Sequence, residues 1–168
     1  GGRTAGAGGA GAGSERRSLK AGAETNAKSI AGSIAHVCRE GDAPLVTAIG
    51  SLSMNQALKG VIIARDYLRD EGMDLTVQPR VMSSVGPDAI EFSVAKTAVA
   101  RPVAAGVALK VAGSSDSSKV AGAVAANVRE GSRVSITGIG PDAVKNIVKT
   151  VTTARTYLKD DAIDLTSE

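Results

Sequence analysis

The 168 residues hold one cysteine, one histidine, two tyrosines, one phenylalanine and no tryptophan. Each scarcity excludes something. One cysteine cannot make an internal disulfide. One cysteine with one histidine falls short of the four ligands of a structural zinc site, so no metal is expected. A chain with 2% aromatics must build its core from aliphatic and small residues, and it offers few rings on which bases could stack. No apolar run reaches the roughly 20 residues that cross a bilayer as a helix, so no membrane partner is expected. Neither sign of charge dominates, with 20 basic and 17 acidic residues. What is abundant is glycine, 20 residues, within a 43% apolar composition that fits a folded chain.

The charge is unevenly placed. Residues 1–17 carry net +2, residues 18–97 net −1 and residues 109–168 net +1. The folded parts are nearly neutral, so nucleic-acid binding needs a local basic patch or the tail. Residues 1–17, GGRTAGAGGAGAGSERR, read as a flexible Gly-rich basic tail. The chain opens on Gly, which suggests a processed leader or a fragment. A lone free cysteine suits a reducing intracellular compartment, with an organelle as the alternative if a leader was trimmed.

The strongest signal is internal. Residues 19–78 align without a gap on residues 109–168 at an offset of 90, with 21 identities in 60 positions. A period this long makes each copy a domain rather than a solenoid unit. The reading is domain one over 18–97, a linker over 98–107 and domain two over 108–168.

Each copy opens on a short strand (SLKAGA, ALKVAG). A polar turn ends in Asn26 or Asp116, both good helix N-caps. A helix follows (KSIAGSIAHVCRE, SKVAGAVAANVRE), with Ile30, Ile34 and Val37, or Val120, Val124 and Asn127, at helical spacing. The β-branched strands LVTAIG and VSITGIG end in glycine. Second helices span about 53–70 and 142–160. A third strand, 74–79, a loop over 83–88 and a fourth strand, AIEFSVAK, complete the order β-α-β-α-β-β in copy one. Copy two stops before equivalents of Pro79–Lys96, hence its last strand: either the chain continues, or the copy is incomplete and leaves a sheet edge open to strand addition. The short linker predicts a covalent pseudo-dimer with the helical faces inward.

The segments SIAGSIAHVCREG, TAIGSLSMNQALKGVIIARDYL and GMDLTVQP resemble the stage V sporulation protein S (SpoVS) family over nearly all of 18–97. Copy two keeps Ala121-Gly122, Arg129-Glu130-Gly131, Gly140, Lys149 and Ala154-Arg155. It departs at Asn55-Gln56, replaced by Lys145-Asn146, so no role of that amide pair carries over. The resemblance implies an α/β, Alba-like fold in tandem, two helices on one face of a mixed sheet, and a non-enzymatic protein of a kind that binds DNA or RNA.

Candidate sites follow from both readings. Lys28, Lys59, Arg65, Arg80, Lys119, Lys149 and Arg155 are candidate phosphate contacts. Arg80 would open the arm between strands three and four. For Arg65 and Arg39 the plainer role is neutralisation by Asp66 and Glu40. Ala31-Gly32 and Ala121-Gly122 read as close-packing points. Gly50 and Gly140 read as tight turns; no Gly-Lys-Ser/Thr follows, so no nucleotide cofactor is expected. His36 and Cys38, which become Ala126 and Val128 in copy two, read as packing residues. Asp74 and Asp164 read as turn or cap residues, and no recurring acid, base and nucleophile exist together. Two functions result: a module holding nucleic acid by its phosphates, or a structural subunit of a protein assembly. A catalyst is disfavoured.

Overall fold

The computed structural model describes residues 16–99 and 106–168. Most of the expected tail and linker lies outside them. In copy one, β1 (Ser18–Ala21), α1 (Ala27–Glu40), β2 (Leu45–Ile49), α2 (Ser51–Arg69), β3 (Met73–Val81) and β4 (Ala89–Ala98) follow in the expected order. Copy two gives β5 (Val107–Lys110), α3 (Ser117–Arg129), β6 (Val134–Thr137) and α4 (Pro141–Leu158). The expected fold is present: α/β, with both helices of copy one packed beside a mixed sheet ordered β1-β2-β4-β3. β1 and β2 run parallel; the other neighbours run antiparallel.

Sequence explains the element starts. The Asn26 side chain accepts the Lys28 N–H at 2.8 Å, and Asp116 accepts from Ser118 and Lys119 at 3.0 and 3.3 Å. These bonds satisfy N–H groups that a helix start leaves unpaired. Gly50 and Gly140 turn a strand into a helix at φ +86° and +93°, where a Cβ would be strained. The tight-turn reading of both glycines holds.

The core of copy one is built from Ile34, Met54, Leu68, Leu75, Ile90 and Phe92, all at most 1% exposed. The alternation of β4 puts Ile90, Phe92 and Val94 inward and leaves Glu91 and Ser93 half-buried. Copy two has a smaller core around Ala121, Val124 and Ala154, while Leu109, Val134 and Ile136 stay partly exposed. Among the described residues its strands number two, and the third is represented by Ser167 alone, bridged to Val77.

Three local expectations change. Ala31 and Ala121 are buried, but Gly32 and Gly122 have nothing within 4 Å of a Cβ, so they are not close-packing points. The close approach belongs to Gly60, where a Cβ would lie 2.5 Å from Ile30 Cγ2. His36 does not pack: its side chain is exposed, 3.3 Å from Glu40. Cys38 does pack, and burial pushes its thiol pKa up. The last residues of the expected tail are held as well: Arg16 donates to Ala43 O, Pro44 O, Val94 O and Ser93 Oγ.

Candidate nucleic-acid interface

The copies meet through α2 against α4 and through the edge of β3. Val77 and Ser167, equivalent at the offset of 90, each donate to the other's carbonyl at 2.8 and 3.0 Å. That reciprocity is what a two-fold arrangement requires. Val148 of α4 joins the core of copy one. Gln78 donates to Leu165 O at 2.8 Å, and Arg155 donates to Pro79 O at 2.8 Å.

Beside this contact lies a cleft of about 490 Å³. Its walls are Pro79–Val81 of β3 on one side and, on the other, Thr152, Arg155, Thr156 and Lys159 of copy two with Ala162, Ile163 and the carboxylate of Asp164. The helix wall follows from spacing. Lys145, Lys149, Thr152, Thr156 and Lys159 recur at i, i+4, i+7, i+11 and i+14, one face of a helix and its last turn. The equivalent row on α2 is Asn55, Lys59, Ile62, Asp66 and Arg69, so the unbroken basic and hydroxyl stripe belongs to copy two alone.

The candidate cations divide by partner. Arg65 is engaged by Asp74 at 2.6 and 3.0 Å, not by its neighbour Asp66. Its hydrogen bonds hold the Asp74 carboxyl below the ordinary carboxylate range, helped by the Leu75 N–H against the opposing effect of burial. Asp74 is thus both an ion-pair partner and a local cap. Arg155 repeats this with Asp164 at 2.7 and 3.1 Å. Arg39 likewise pairs with Glu71, not Glu40. Arg80 sits within β3, directly opposite Glu91, and bonds it at 2.8 Å. It is not the start of a basic arm: the turn over residues 82–88 carries one charge, Asp88, which Lys145 and Lys149 approach at 3.0 and 3.6 Å. Those lysines hold the Asp88 carboxyl below its usual range.

Among the described residues, Lys28, Lys59 and Lys119 have no ion pair, and they stand apart from the cleft. The cleft therefore joins Arg80 and Arg155, with Lys149 further along the same helix face. Lys159, which no candidate set included, completes it without an ion pair among the described residues. Its signal was present in the helical spacing of KNIVKTVTTARTYLK. No aromatic lines the cleft, since Phe92 is buried and neither tyrosine is in its walls.

No group of three or more His, Cys, Asp and Glu among the described residues is placed to hold a metal ion. No helix among them is long and apolar enough to cross a membrane. The family model for Stage V sporulation protein S (SpoVS) matches residues 17–100 and again 107–168. The repeat, the shared topology and this double match agree: the chain belongs to the SpoVS family and carries two copies of its domain.

Proposed function

We propose that this protein is a non-enzymatic module that binds nucleic acid by its phosphates in the cleft between α4 and β3. The observation that carries this reading is convergence: Arg80 from one copy and Arg155 and Lys159 from the other face one channel. The walls set three cations against one carboxylate, Asp164, which Arg155 engages, and Glu91 engages Arg80 beside them, so the positive field of the cleft rests chiefly on Lys159. Arg80 has a 69% exposed side chain, so its pairing with Glu91 leaves N–H groups free for a phosphate oxygen. The lack of rings in the walls favours backbone contact over base stacking. The SpoVS family is not a known enzyme family, and the two copies repeat no acid, base and nucleophile together. A second reading, a subunit of a protein assembly, draws on β6, which among the described residues pairs with β5 alone.

The test is a salt titration with short duplex DNA, duplex RNA and single strands. Binding near 50 mM salt should weaken with a log–log slope of about −2 to −3 on duplexes, the signature of two or three neutralised phosphates. Lys159→Ala should reduce the slope by about 1 and weaken all sequences alike, whereas Lys28→Ala should change nothing. Absence of binding at low salt, or a slope unmoved by Lys159→Ala and Arg80→Ala, removes the reading.

A further inference from the structure

The basic stripe of α4 does not end at the cleft. Lys149 and Lys145 continue it toward the helix start, with Lys149 about 15 Å along the axis from Lys159. Both ammonium groups meet one carboxylate of the other copy. Lys145 Nζ is 3.0 Å from Asp88 Oδ2 and Lys149 Nζ is 3.6 Å from Asp88 Oδ1, so each oxygen faces its own lysine. A phosphodiester likewise carries one negative charge on two free oxygens. The pair of lysines that holds Asp88 is therefore built to hold a phosphate of a strand that leaves the cleft along the helix.

The fold does not depend on this contact. The three side chains are between 26% and 41% exposed, a setting in which an ion pair contributes little. The copies are joined instead by Val148 in the core of copy one and by the reciprocal bonds of Val77 and Ser167. The turn itself is tied to β2 through its backbone: Gly50 N donates to the Asp88 carbonyl, which any residue supplies. Yet Asp88 is the one charge in the turn over 82–88, and it neutralises two of the three lysines of the stripe. On α2 the equivalent positions are Asn55 and Lys59, and Lys59 has no ion pair among the described residues.

We infer, resting on the cleft reading for the path of the strand, that Lys145 and Lys149 form a second phosphate subsite and that Asp88 blocks it by occupying it. The intact protein then grips a strand by the cleft alone, and removal of the Asp88 charge lengthens the footprint by about two phosphates.

The test is the salt dependence of binding to a DNA duplex of about 12 base pairs, which at 3.4 Å per step reaches both sites. Asp88→Asn in the 168-residue chain should steepen the log–log slope by about 2 and tighten binding about tenfold near 50 mM salt. Asp88→Glu keeps the charge and should keep the wild-type slope. Asp66→Asn removes a carboxylate that has no ion pair among the described residues, and it should leave the slope unchanged, which separates an opened subsite from a general gain in positive charge. Lys145→Ala with Lys149→Ala should leave the wild-type slope unaltered, yet cancel the gain when added to Asp88→Asn. Three results overturn the proposal: a wild-type slope that falls by about 2 on loss of both lysines, since they would already hold phosphate; an Asp88→Asn slope equal to wild type; or no binding by Asp88→Asn at low salt. The cleft fails separately. A slope steepened by Asp88→Asn but unmoved by Lys159→Ala removes the cleft and keeps the subsite, and the reverse pattern keeps the cleft alone.

Discussion

Copy one and copy two share the same polar clamps and differ in what lies beneath them. Arg65–Asp74 recurs as Arg155–Asp164, and Arg39–Glu71 recurs as Arg129–Asp161. Arg39 and Arg129 even reach the same carbonyl, that of Tyr67 or Tyr157. Gly22 N donates to Thr25 Oγ1 as Ala112 N donates to Ser115 Oγ, both at 2.8 Å. The cores diverge. Copy one closes over Phe92, Val94 and Leu75, while among the described residues copy two shows no hairpin over its sheet and puts Val148 into the core of its twin. The difference teaches that side chain-to-backbone clamps fix the unit's local geometry, while burial depth depends on the β3–β4 hairpin. Copy two keeps the geometry and borrows burial from copy one.

The sharpest way to break the comparison is to exchange one buried pair. Copy one has Gly60 against Ile30; the equivalent positions in copy two hold Thr150 and the smaller Val120. Gly60→Thr should destabilise the chain by about 3 kcal/mol, because the new Cβ meets a branched, fully packed side chain. Adding Ile30→Val should return about 1 kcal/mol of that loss, since valine without the δ carbon can move away. Denaturant unfolding of both single variants and the double variant measures the coupling. Strict additivity would show that these positions do not compensate for each other.

The clamps make a smaller test. The side chains of Arg65 and Asp74 are 25% and 13% exposed, whereas Asp164 is 57% exposed. Arg65→Met should therefore cost about 2 kcal/mol near neutral pH, as it leaves a half-buried carboxylate short of its charged donor. Arg155→Met should cost about 1 kcal/mol, nearer the value of a surface pair. The pH dependence has a fixed sign. Asp74 holds protons less tightly folded than unfolded, so its contribution is fully present above the unfolded carboxylate pKa. It is lost as pH falls through the lower folded value. The gap between wild type and Arg65→Met should narrow over that acid window; a constant gap would mean that Arg65 acts by packing.

Most of the fold was legible because the chain states it twice. A register of 90 carried caps, glycine corners and apolar stripes from one copy to the other, and the resemblance supplied the sheet. The candidate site was less legible, because ion pairs depend on register across strands and on contacts between copies. Nothing local says that Arg80 stands opposite Glu91, or that Lys145 and Lys149 reach Asp88 of the other copy. The amide pair misled for a related reason. Gln56 donates to Thr25 O, and Asn146, one carbon shorter, donates to Ala112, Gly113 and Ser115 carbonyls in the equivalent loop. The role survives a change of residue that breaks the motif. Lys159 was missed because candidates were taken from bases identical in both copies, from the first strand–helix turn and from the expected arm, whereas this position is lysine in copy two and arginine, Arg69, in copy one.

Thr150 gives the finest test of the comparison. It stands at the position of Gly60, where Ile30 occupies the space in copy one, and it brings a hydroxyl that is wholly buried and without a hydrogen-bond partner. A buried donor left unpaired costs about 1–3 kcal/mol, whereas an apolar group of the same shape does not. Thr150→Val keeps the β-branched volume and removes that penalty, so it should raise stability by about 1 kcal/mol without altering the cleft or the clamps. The measurement is the shift in denaturation midpoint at unchanged slope. A gain would mean that copy two took on the hydroxyl for volume alone, filling space against the smaller Val120. A loss would mean that the hydroxyl is bonded, the nearest acceptor in a helix being the carbonyl four residues back at Asn146. In that case the two copies differ at this position in their hydrogen bonding and not only in packing.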